Sequence, residues 1–263
     1  MGSPISRLCA EVVSSLSKFT KLRTLELFAD NRSSVCQEIE ADYPLIHTAI
    51  SANSNTLSRL SIRGEPIWGC QSLWLLQELE LIMSNDVGDF SSILHHCASL
   101  RNLSIVYYDH AIQPPTMLVL PPTALPELIS FKLFVRHDKE IRRSHCTIPI
   151  AEMIAKFLEE KKKLRRLDVY RRAYDEPVDP LLAVLPTLPA LEVLGLDIPS
   201  TFFNSPLSLH PRTDMRILDQ QIPEKVSALM IRGPYTIQGT VEDLTSQEQQ
   251  QWVNLVRVTM YMT

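Results

Sequence analysis

Glycine is scarce in this chain, with seven among 263 residues against eighteen prolines. Tight hairpins need residues at positive φ, so this balance disfavours an antiparallel sandwich and favours stiff connections. The few glycines never cluster, which leaves no loop of the phosphate-cradling kind. Cysteine is sparse too. Cys9, Cys36, Cys70, Cys97 and Cys146 stand far apart without a CxxC pair, so we read reduced, mostly buried thiols in a cytoplasmic or nuclear protein. No run approaches the ~18 apolar residues of a membrane span, and the chain does not open with a signal-peptide layout. A surplus of one charge is also missing. Lysine and arginine total 26 against 30 acidic residues, a net of -4, which gives no pull toward nucleic acid or an anionic bilayer.

What the chain does have is a recurring pattern. Leu164-Arg-Arg-Leu-Asp-Val169 places an apolar residue three positions after the first and another two beyond that. The same outline returns from Leu22, Leu57, Leu76, Leu100, Leu128, Leu191, Val226 and Leu255, at intervals of 19 to 36 residues. The last two apolar positions alternate with outward ones, the period of a half-buried strand. Leu25 and Leu27, for example, lie among Thr24, Glu26 and Phe28.

Crossovers fill the intervals. Ile5, Leu8, Cys9, Val12, Val13 and Leu16 follow helical spacing and predict an N-terminal helical cap over 1–21. Helices are also expected over Tyr43–Ile50, from Asp89 through Cys97, and from Leu181 to Leu185. Another starts near Pro149 and presents Ile150, Met153, Ile154, Phe157 and Leu158, with Lys161-Lys162-Lys163 complementing the dipole at its end. Thr245 and Glu248 form a capping box before the ninth copy. Gly64, Pro66 and Gly69 mark a loop, and the Pro-rich segment 109–123 reads as an extended connection.

Strands separated by such crossovers pair in parallel with right-handed connections. One unit cannot bury its apolar face alone, whereas nine stacked units share a continuous core. The expected fold is therefore α/β, in one domain over 1–263.

The LxxLxL cores, with the lead-ins Leu125-Pro-Glu-Leu128 and Leu188-Pro-Ala-Leu191, make the chain resemble leucine-rich repeat proteins over about residues 5–263. It is most similar to the irregular arrays that follow an F-box in fungal proteins. The resemblance implies a right-handed βα horseshoe, a solenoid of about nine parallel strands with helices or loops on the convex side. It also implies a non-catalytic protein-binding role, as the substrate-recognition part of an F-box-like ubiquitin ligase adaptor. Asp30, Glu65 and Ser84 stand where the family places Asn or Cys, so no Asn ladder is expected. A three-helix F-box module is not read in the opening residues.

In this register a protein partner would meet the outward strand positions of the concave face. We select Phe28, Arg59, Arg63, Glu78, Glu80, Lys132, Phe134, Arg166, Asp168, Tyr170, Arg232, Arg257 and Tyr261. Their mixed signs argue against nucleic acid. Their aromatics beside arginines are typical interface anchors. The run Lys161–Arg166, continued by Arg171 and Arg172, reads as a helix end followed by outward strand positions. Adjacent His95 and His96 point apart on a helix, so no metal site is expected. Asp109-His110 and His137-Asp138 fall after strands, and no nucleophile has a recognisable elbow. We expect no enzyme, cofactor or membrane association. The alternatives are a scaffold pairing with itself through the C-terminal edge strand, a fragment of a longer array, or an enzyme with an unrecognised site.

Overall fold

The computed structural model describes residues 15, 18–19, 21–28, 48, 50–63, 73–84, 94–109, 120–137, 150–171, 178–197, 220–233 and 257–262. Every copy of the sequence pattern delivers a strand. These are β1 Thr24–Phe28, β2 Arg59–Arg63, β3 Glu78–Ser84, β4 Asn102–Asp109 and β5 Ser130–His137, then β6 Arg166–Arg171, β7 Val193–Asp197, β8 Ala228–Gly233 and β9 Arg257–Met262. They form one sheet in chain order, β1 to β9. All eight neighbouring pairs run parallel. The protein is thus an α/β chain dominated by one parallel sheet.

Alternation explains the sheet's position. In register, Leu25, Leu60, Leu79, Leu103, Phe131, Leu167, Leu194 and Leu229 form one buried row. Ile62, Leu81, Ile105, Leu133, Val169 and Leu196 form a second. The first leucine of each unit supplies a third, through Leu57, Leu76, Leu100, Leu128, Leu164 and Leu191. A side chain of this size contributes about 1.5–3 kcal/mol when fully buried, so stacked rows of them supply the main driving force.

A tight turn precedes most strands. The N–H of each unit's first apolar residue donates to the carbonyl three residues back: Leu76 to Leu73, Leu100 to Cys97, Leu128 to Leu125, Leu164 to Lys161 and Leu191 to Leu188, at 2.9–3.2 Å. These acceptor residues line a fourth buried column. Leu125 holds φ at 59° there, an uncommon conformation for a leucine. Before β2 the buried Asn53 takes the place of that turn. Its carbonyl accepts from Thr56 and Leu57 at 2.9 Å, and its Oδ1 accepts from the Leu22 N–H at 3.0 Å.

Beside the turns runs a ladder of shared carbonyls. Those of Arg23, Ser58, Gln77, Arg101, Ile129, Arg165 and Glu192 each accept two N–H groups from the next unit, at 2.8–3.2 Å. A carbonyl has two lone pairs, so one group can satisfy both donors.

Two helices are described in full. The α1 helix covers Ile150–Leu158, with Glu152 in its first turn and Lys156 in its last, as the helix dipole favours. Its buried face is Ala151, Ile154, Phe157 and Leu158, and Phe157 meets Phe131 edge-on with centroids 5.2 Å apart. The α2 helix covers Asp179–Val184 with a proline in its first turn, and a 3-10 turn over Leu185–Thr187 follows. Of the helix expected over 43–50, Thr48 and Ile50 are helical; of that expected before Cys97, Leu94, His95 and His96 are helical. Residues 1–14, 110–119, Pro149 and the Thr245/Glu248 box lie outside the described residues. The Pro-rich connection does not stay extended to its end: Pro122 and Thr123 form a turn. Among the described residues, no helix is long and apolar enough to cross a membrane.

Candidate interaction surface

The strand positions that do not enter the core form three rows across the opposite face. The register aligns Arg59, Glu78, Asn102, Ser130 and Arg166 in the first. Ser61, Glu80, Ser104, Lys132, Asp168 and Gly195 make the second. Ile82, Val106, Phe134 and Tyr170 make the third.

Toward β1–β3 the described outward side chains are mainly acidic. The Arg59 guanidinium stands 3.8 Å from Glu26 and 3.6 Å from Glu78, with all three side chains about half exposed. Asn102 Nδ2 donates to Glu78 at 3.2 Å, and the buried Ser61 hydroxyl donates to Glu80 at 3.0 Å. Ion pairs this open contribute about 0–1 kcal/mol each. Their value here is positional: neighbouring strands hold Glu78 and Glu80 in place, with Arg59 offsetting one of three carboxylates.

Toward β5–β6 the face changes character. Phe134 and Tyr170, opposite one another in register, stack with centroids 4.4 Å apart and planes 14° from parallel. Both remain partly exposed, and the half-buried Val106 and Ile82 continue the apolar row. Lys132 and Arg166 are exposed beside them. Asp168 is not: only 7 % of its surface is accessible. The reason lies on β7. A Cβ at Gly195 would come within 2.5 Å of Asp168 Oδ1, so the missing side chain leaves the space this carboxylate occupies.

The structure brings eight of the sequence-selected residues onto one continuous face: Arg59, Glu78, Glu80, Lys132, Phe134, Arg166, Asp168 and Tyr170. Phe28, Arg63, Arg232, Arg257 and Tyr261 fall in strands at the expected register, while their side chains lie outside the described residues. Sequence reasoning missed the holding roles of Ser61, Asn102 and Gly195. Their signal was an equivalent position to a charged residue on the adjacent strand.

The basic run also reads differently in three dimensions. The helix ends at Leu158, and Lys161 occupies the fourth core column with 2 % exposure. Its Nζ donates to the Pro122 carbonyl and lies 4.5 Å over the Phe157 ring. Burial pulls its pKa from 10.5 down to about 8, against the opposing pull of the Glu160 charge. The spacing to Leu164, shared with Leu73, Cys97, Leu125 and Leu188, was the available clue.

His95 and His96 are exposed beside the buried Cys97. Among the described residues, no group of three or more His, Cys, Asp or Glu side chains gathers as a metal site. Compared with protein-family models the chain matches none, and no curated protein matches it.

Proposed function

We propose that this chain is a leucine-rich-repeat solenoid whose outward sheet face, concave in that architecture, binds a protein partner without catalysis. The observation that carries the reading is the stacked Phe134–Tyr170 pair, partly exposed and extended by Val106 and Ile82. An apolar row rimmed by charge is the layout of protein interfaces, where aromatic anchors dominate binding. The resemblance to the arrays behind an F-box makes substrate recognition for a ubiquitin ligase the specific form of this proposal, in the cytoplasm or nucleus.

Site-specific photo-crosslinking tests it. A photoreactive residue at Val106, introduced in the cells that express the chain, should capture a protein. The same residue at Lys156, exposed on α1, should not. Equal capture from both positions, or capture from Lys156 alone, removes the face from consideration. Ligase components among the adducts support the adaptor role.

A further inference from the structure

The charges on the outward face are ordered, and the order constrains what it binds. Glu78 and Glu80 both stand on β3, while Lys132 and Arg166 stand on β5 and β6 in the same two rows. Asp168, opposite Lys132 in register, is covered over Gly195, so Lys132 and Arg166 are the charges that this part of the face exposes among the described side chains. The stacked Phe134 and Tyr170 lie further along the same strands, two residues beyond Lys132 on β5 and four beyond Arg166 on β6. With strands about 4.8 Å apart, the acidic pair and the cations are separated by roughly 10–14 Å across the sheet.

We propose that the occupant is a dipolar polypeptide segment lying across the strands. It sets a basic side chain over Glu78 and Glu80, an acidic one over Lys132 and Arg166, and an apolar one against Phe134 and Tyr170. This deepens the protein-binding reading and rests on it. An extended chain advances about 3.3 Å per residue and alternates its edges. Four residues therefore span the charge separation and return to the same edge, with the apolar residue on the other. The segment reads basic, two spacers, apolar, acidic, or the reverse if it runs the other way. Complementary potentials of this kind set register and orientation more than affinity.

Selection of random twelve-residue displayed peptides on the purified full chain tests the proposal. Wild type should enrich the basic–apolar–acidic spacing. The Glu78→Lys/Glu80→Lys variant should replace the basic residue by an acidic one, and Lys132→Glu/Arg166→Glu should invert the other end. Because Glu78 and Glu80 also engage Asn102 and Ser61, the milder Glu78→Gln/Glu80→Gln pair serves as a second variant and should lose the basic preference. If peptides from all four proteins share one charge pattern, yet are lost with Phe134→Ala/Tyr170→Ala, the charge code is wrong and the interface stands. If wild type enriches nothing, or its peptides survive loss of both aromatics, the code and the interface reading fall together.

Discussion

The Asp168 side chain occupies the space that a side chain at Gly195 would fill on the neighbouring strand. Glycine inside a strand normally weakens it, by roughly 0.5–1 kcal/mol relative to alanine. Here the ordering should reverse. Gly195→Ala is expected to destabilise by about 1–3 kcal/mol, the usual range for overpacking. Combined with Asp168→Ala, the same substitution should become neutral or favourable. Urea unfolding of the two single variants and the double variant measures the coupling. Additive costs would mean that the two positions do not compete for space.

Lys161 makes stability depend on pH. Its folded pKa of about 8 lies below the ordinary 10.5, so between these values the unfolded chain holds more protons. Stability therefore rises with pH across that window, and the penalty of burying the charge is complete below it. Lys161→Met lacks this titration. Its advantage in urea midpoint over the wild type should shrink steadily from pH 8 to pH 10. A constant difference would show that Lys161 titrates as it does in water.

Leu125 combines a buried side chain with φ of 59°. Leu125→Ala should cost about 2–5 kcal/mol for lost packing. Glycine tolerates that φ freely, whereas a Cβ there costs roughly 1–2 kcal/mol. Leu125→Gly should then be less damaging than Leu125→Ala by about 1 kcal/mol, opposite to the usual order. Chemical denaturation of both variants decides it.

The Phe134–Tyr170 stack should appear as coupling rather than as a large single cost. A double-mutant cycle to alanine is expected to return about 0.5–1.5 kcal/mol of interaction energy. Zero coupling would make the two rings independent surface groups.

Register has its own test on β6. Leu167→Ala should cost about 2–5 kcal/mol and Arg166→Ala no more than about 0.5. Comparable costs would place the strand one residue out of phase. Asp168 is a poor outward control, because it is buried.

The strands were legible because a period-two pattern repeated nine times carries its own phase: Leu167 and Val169 inward, Arg166 outward. Their parallel order follows from connections too long for hairpins. Less legible were features that depend on which residues meet across strands. Asp168 reads as a solvated charge until Gly195 is seen beside it. Lys161 reads as a helix-end cation until the turn before Leu164 sets it in line with Leu125 and Leu188. The same limit applies to the face. Phe134 and Tyr170 were both legible as outward aromatics, but their stacking follows from a register that pairs β5 with β6 residue by residue.

The shared carbonyls at the strand starts bear on how such a chain can vary. Those paired N–H links run from backbone to backbone, at residues as unlike as Gln77, Arg101 and Ile129. Substitution at these positions leaves the joint intact, and the intervals between strands differ widely while every strand still begins in line. Residues added to or removed from a connection leave these joints unchanged. A crossover can lengthen, shorten or be exchanged without shifting the outward rows that follow it.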